Sequence, residues 1–166
     1  ARRQRQMCIR DRIKFENIIG ASAGQIPQGA IVTGASLTVY MTTSPTFKNP
    51  VFSLYRMNAA WTDASTWSSM GSGIDGAEAR TTADRTITDA GVGSYTFASN
   101  AAMIASVQAW VNNPSSNQGW YIFSDSNSSR GDFASAENGT IANRPQLTVD
   151  FIVPVAPTMD LDLDNS

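Results

Sequence analysis

An antiparallel β-sandwich closed by one short helix is the fold class this sequence predicts, and three observations carry it. Runs of apolar–polar alternation recur along the chain, the cleanest being Ala35-Ser36-Leu37-Thr38-Val39-Tyr40-Met41-Thr42. Leu37, Val39 and Met41 share one face of that strand and Ser36, Thr38, Tyr40 and Thr42 the other. Ser, Thr, Asn and Gly fill the gaps while charged residues reach only 16%, a texture of secreted all-β modules rather than of Lys- and Glu-rich helical cytosolic domains. One segment alone has helical period: Met103, Val107, Trp110 and Val111 fall at i, i+4, i+7 and i+8. That apolar stripe should lie over an open end or face of the sandwich. With 166 residues and 42% hydrophobic content, the chain can bury one core, so a single domain is expected.

Taken in order, Ile13-Lys14-Phe15-Glu16-Asn17-Ile18 alternates like a strand with one buried face, and Gly20 to Gly24 break it. Ile26-Pro27-Gln28-Gly29-Ala30 is turn chemistry, with proline fixing one backbone angle and glycine free to take positive φ. The strand around Leu37 is expected to pair with Val51 to Met57 across a loop holding Pro45 and Pro50. In that partner Phe52 and Leu54 should point inward and Ser53 and Tyr55 outward, so that Tyr40 and Tyr55 share an exposed face. Thr81 to Asp89 reads as loop or edge strand, and Gly93-Ser94-Tyr95-Thr96-Phe97-Ala98 resumes the alternation.

Ser99 or Asn100 can cap the helix near residues 100–112, since either side chain accepts an otherwise unpaired backbone N–H. Asn112-Asn113-Pro114 stops it, because the residue before proline avoids the helical region. Trp120-Tyr121-Ile122-Phe123 is then a strand, and Leu147-Thr148-Val149-Asp150-Phe151 closes the module after a turn at Asn143-Arg144-Pro145. Beyond Val153-Pro154-Val155-Ala156-Pro157 the composition changes, so residues 154–166 read as a proline-stiffened linker into a following domain.

Charge is unevenly placed. Residues 1–12 hold Arg2, Arg3, Arg5, Arg10 and Arg12 against Asp11, which leaves seven basic and 13 acidic groups, or −6, for residues 13–166. An acidic surface repels phosphate backbones, so nucleic acid is not an expected partner. Met7-Cys8-Ile9-Arg10-Asp11-Arg12 resembles a translated sequencing adapter, which sets residues 1–12 apart from the folding part. A genuine basic arm is the alternative. Cys8, the one cysteine, lies in that segment, so the module has no disulfide framework. This suits bacterial surface proteins better than small animal secreted domains. No apolar run approaches the roughly 20 residues of a membrane span.

The chain contains no histidine, which removes a Ser-His-Asp triad, a histidine metal site and imidazole acid–base catalysis. Hydrolysis would fall to a carboxylate pair, yet the acidic residues sit in polar loops with no flanking pattern that brings two onto facing strand ends. A non-catalytic role is therefore expected. Sugar binding on a sandwich uses outward aromatics that stack on pyranose rings, with polar groups fixing orientation. Tyr40 and Tyr55 are the outward candidates, with Lys48 or Arg56 available for a uronate carboxylate. The competing reading is an amphipathic sheet face with tyrosines in cross-strand packing.

Trp61 and Trp67 suggest a stacking platform too, but burial in a small core is the stronger reading for large indoles. Asp160, Asp162 and Asp164 alternate, so in an extended segment their carboxylates share one side, suited to a hard cation such as Ca²⁺ at the joint between domains. A solvated acidic linker accounts for them equally. Arg130-Gly131-Asp132 spells an adhesion tripeptide, for which a turn in a Ser/Asn-rich loop is the stronger reading. Asn127-Ser128-Ser129 and Asn138-Gly139-Thr140 match glycosylation acceptors, relevant only to a eukaryotic source.

Several of these stretches together resemble a known family: Ile13 to Glu16, the Ile26-Pro27 to Leu37 stretch, Leu54-Tyr55-Arg56 leading to Trp61, Thr66-Trp67, the Val107, Trp110 and Val111 helix, and Asn143-Arg144-Pro145-Gln146-Leu147. In that order they resemble the DNRLRE domain family over residues 13 to about 153. The resemblance implies a jelly-roll β-sandwich attached to a large secreted protein, related to carbohydrate-binding modules that recognise acidic polysaccharides such as alginate. The family's opening strands have no counterpart here. The expectation is thus a non-catalytic extracellular module that binds polysaccharide and is flanked by other domains of a larger secreted or surface protein. A structural spacer or adhesin stalk module without ligand, and a fragment of a polysaccharide-degrading enzyme, are the alternatives.

Overall fold

In the computed structural model, which describes residues 10–43, 51–66, 68–71, 73–88, 91–124 and 132–155, the alternating segments form two antiparallel sheets and the periodic segment one short helix. The first sheet has the order β1 (Arg10–Ile13), β6 (Trp120–Ser124), β3 (Val51–Arg56), β4 (Arg85–Thr88). In the second, β2 (Ile31–Thr43) lies between β5 (Gly93–Phe97) on one edge and β7 (Asp132–Phe133) and β8 (Gln146–Ile152) on the other. The result is an all-β, sandwich-like fold. No helix among the described residues is long and apolar enough to cross a membrane.

The core lies between the sheets and follows the alternation. Leu37, Val39 and Met41 of β2 face Phe52 and Leu54 of β3 and Trp120 and Ile122 of β6, all buried. Phe52 meets Phe133 of β7 edge-on, with centroids 5.2 Å apart, so the two layers interlock there. Helix α1 (Ala101–Asn112) buries its whole stripe, Met103, Val107, Trp110 and Val111, and Trp110 packs edge-on against Trp120 at 4.5 Å. Asn100 is the N-cap, its side-chain oxygen accepting from the Met103 N–H at 2.8 Å. Burial of a side chain such as Val107 or Met103 contributes about 1.5–3 kcal/mol, against about 1 kcal/mol for a cap. Packing therefore holds the helix in place and the cap sets where it starts.

Helix α1 also stands in for a strand. β5 pairs with β2 only from Leu37 to Met41, which leaves the earlier part of that β2 edge to be satisfied otherwise. Gln108 does so from the helix: its carbonyl oxygen accepts from Val32 N–H at 2.8 Å, and its amide donates to the Ala30 carbonyl at 3.1 Å. Ser99 Oγ accepts from the Ala35 N–H at 3.0 Å. Ser99 thus serves the sheet, and Asn100 the helix.

Two strand expectations change. The strand expected over residues 13–18 does not form: β1 (Arg10–Ile13) ends at Ile13. Beyond it Glu16 and Asn17 turn, with Asn17 at φ 55, so Phe15 and Ile18 reach the core from a loop. The segment from Arg10 to Arg12, set apart on sequence grounds, pairs with Tyr121 to Phe123 of β6. Finally, β2 and β3 do not pair. Both edges of β2 are taken by β5, β7 and β8, and β3 lies in the opposite sheet between β6 and β4. Ser53 faces outward as expected, opposite Phe123, and is buried on that face.

Candidate functional site

Separation of β2 from β3 takes the expected sugar face apart. Tyr40 lies on the outer face of its sheet opposite Ser94, while Tyr55 lies on the outer face of the other sheet opposite Tyr121. The two rings share no surface. Tyr55 and Arg56, adjacent on β3, project to opposite faces of their sheet. Lys48, the aspartates 160, 162 and 164, Trp67, Arg130 and Gly131 lie outside the described residues. Asp132 opens β7, where its carbonyl accepts from Thr42 Oγ1 at 2.9 Å.

What the structure does assemble is an aromatic row on the outer face of the four-stranded sheet. Tyr55 on β3 and Tyr121 and Phe123 on β6 stand side by side, with centroids 6.3 Å and 6.0 Å apart and ring planes tilted by 37° and 34°. Met57, Met70 and Ala79, brought in by the excursion between β3 and β4, bury the base of the row. Tyr121 is the buried member; Tyr55, Phe123 and Trp61 are half-buried. Trp61 is fixed by its indole N–H, which donates to the Gln118 carbonyl at 2.7 Å. The Arg12 guanidinium lies 4.8 Å over that indole and donates to the Ser65 carbonyl at 2.9 Å, a cation–π contact braced by a hydrogen bond.

On the other side of β3 a charged group forms. Past the strand's end, Arg80 N–H donates to the Arg56 carbonyl at 2.9 Å, so the segment from Glu78 to Asp84 runs along the sheet edge. Asp84 is buried there. Its Oδ2 accepts from Ser106 Oγ at 2.5 Å and from Trp120 Nε1 at 2.8 Å, and its backbone carbonyl accepts from Asn100 Nδ2 at 2.8 Å. Arg80 approaches Asp84 Oδ1 only to 3.9 Å and is itself exposed. The Arg56 guanidinium is pushed below its ordinary pKa, first by burial and then by the neighbouring Arg80 charge, with Asp84 opposing.

Among the described residues no three His, Cys, Asp or Glu side chains gather as metal ligands. Asp75 and Glu78 do meet, in an exposed turn. The Asp75 carboxylate accepts from Ala77 N–H at 2.8 Å, which with its contact to Glu78 holds it below the usual aspartate range, while Glu78 accepts from Asp75 N–H at 3.1 Å. Both carboxylates serve the turn's backbone, a structural use rather than that of a facing acid–base pair.

Sequence reasoning missed Tyr121, Phe123, Arg80 and Asp84. For the first two a signal existed: Trp120 to Phe123 is apolar at every position, and a strand apolar on both faces is covered on both. Asp84 gave no such signal, because its burial depends on Ser106 and Trp120, remote in the chain. Compared with protein-family models, curated proteins and solved structures, the chain matches none.

Proposed function

We propose that this chain is a non-catalytic, extracellular polysaccharide-binding module of a larger secreted or surface protein, a member of the DNRLRE domain family. One observation carries the binding reading: Tyr55, Phe123 and Trp61 gather half-open to solvent on a single outer sheet face, instead of being shared between the core and scattered surface positions. Rings spaced like these offer a sugar chain successive apolar faces, with the Tyr55 hydroxyl and the Trp61 environment supplying polar edges. Sandwich-like architecture and the order of the family-like stretches support the family assignment.

Affinity electrophoresis through gels containing a neutral glucan or a polyuronate tests this. The wild-type chain should be retarded by at least one polymer, and Tyr55→Ala should weaken that retardation about two- to tenfold, the equivalent of 0.5–1.5 kcal/mol for a lost ring contact. Circular dichroism must show the variant folded. Equal mobility of both proteins in every gel would remove the binding reading. A structural spacer is the second reading, favoured by the burial of Tyr121, at 5% exposure, beneath its neighbours. It expects no retardation and a loss of stability in Tyr55→Ala.

A further inference from the structure

β8 is a sheet edge left open. Among the described residues it pairs with β2 alone, along all seven of its residues. Hydrogen bonds made by β2 fix which way the β8 backbone points. The Ala35 N–H turns to Ser99 on one side of β2, and the Tyr40 carbonyl accepts from Ala134 on the other, the side that β7 and β8 occupy. Backbone direction alternates along a strand, so Gly34, Ser36 and Thr38 address β8 through their partners Asp150, Thr148 and Gln146. Leu147, Val149 and Phe151 therefore aim their N–H and C=O groups away from β2, at the open edge. Natural edges are blunted by lysine, proline, a bulge or shortness. β8 has no lysine or proline, and the register shift in this pair falls on β2. Its one charge, Asp150, lies over Gly34 of β2, where a Cβ would meet the carboxylate. Apolar side chains flank the edge: Leu147 and Val149 are only half-buried against the core, and Ile31, Phe151, Ile152 and Val153 are exposed.

We propose that β8 pairs antiparallel with the β8 of a second copy of this chain, joining two copies of its sheet across a two-fold axis at Val149. An antiparallel edge suits a two-fold because the same strand serves both sides. With the axis there, Val149 meets its own counterpart and Leu147 meets Phe151 of the second copy. Each outward N–H and C=O of these residues then finds a partner. On one face Leu147, Val149 and Phe151 of both copies form a continuous apolar row, covering flanks that a single chain leaves open. On the other face Thr148 stands opposite Asp150 of the second copy, so no like charges oppose. Neighbouring registers are worse. An axis at Asp150 sets that carboxylate against its own copy, and an axis at Thr148 sets Phe151 against Pro145, which has no N–H to give. Charge and proline together select one pairing.

Sedimentation equilibrium of the full chain from micromolar to millimolar concentration, at physiological ionic strength, tests the pairing, together with backbone hydrogen exchange on the same samples. Mass should rise toward twice that of the monomer. The Leu147, Val149 and Phe151 amides should exchange quickly when dilute and slow as the dimer forms, while those of Thr148 and Asp150, bonded to β2, stay slow throughout. Thr148 is exposed, so a charge placed there leaves the core undisturbed. Thr148→Asp faces Asp150 of the second copy and should weaken dimerisation about tenfold; Thr148→Lys should hold or tighten it. Circular dichroism checks that both variants fold, and if either does not, the amide pattern of the wild type decides. A monomer at millimolar concentration overturns the proposal. So does a dimer that leaves those three amides fast, or one that a folded Thr148→Asp does not weaken. Slow exchange of the three amides in the dilute monomer would mean that another part of the same chain covers the edge, and overturns it equally.

Discussion

A carboxylate survives at 3% exposure inside this fold because each of its contacts does separate work. Asp84 joins the helix through Ser106, the first sheet through Trp120 and the strand edge through Leu54, whose carbonyl accepts its backbone N–H at 2.7 Å. Replacing it with alanine leaves two buried donors without an acceptor, at about 1–3 kcal/mol each. We expect Asp84→Ala to lower unfolding free energy in urea by about 3 kcal/mol, and Asp84→Asn by less because one oxygen remains. Equal stability for Asp84→Ala would show that the network is incidental. Gly119 is constrained differently: it adopts φ 69, and a Cβ there would overlap the Ile13 carbonyl. Gly119→Ala should cost more than about 1–2 kcal/mol, because backbone strain adds to displacement of β1. The same urea titration measures it.

Among the elements, α1 has two tasks, packing a stripe and completing the edge of β2. The second rests on Gln108. In Gln108→Ala the Val32 amide loses its acceptor, so its hydrogen exchange should quicken several-fold while amides in β3 and β6 stay protected. Uniform change across both sheets would mean that Gln108 acts on global stability instead. The helix was legible in the chain, because its period, its capping Asn100 and its stop at Pro114 are all local signals. Facing residues in β2 were legible for the same reason. The choice of partner for β2 was not. Strands that follow one another usually neighbour each other, but β2 and β3 part into different sheets, and the partners that displace β3 come from far along the chain. The excursion from Met57 to Asp84 was equally opaque, since Met70 and Ala79 pack in one cluster with Tyr121, which is remote in the chain.

At the scale of the whole molecule, aromatic residues divide into sets with different work. Phe52, Phe97, Trp110 and Trp120 fill the space between the sheets, where full burial makes them structural. Tyr55, Trp61, Tyr121 and Phe123 lie behind the four-stranded sheet, where Met57, Met70 and Ala79 pack against them. Tyr40 lies on the far side of the sandwich. Of the sugar-binding residues expected from the sequence, Tyr55 stands in the outer aromatic row and Arg56 on the opposite face of β3, and pairing either with Tyr40 required a strand arrangement the fold does not have. Function therefore turns on which outer face meets sugar. A two-dimensional NMR titration of the labelled chain with the polysaccharide that retards it decides this most directly. Shifts should cluster at Tyr55, Trp61, Tyr121 and Phe123. Shifts centred on Tyr40 and Ser94, or none anywhere at saturating polymer, would contradict it.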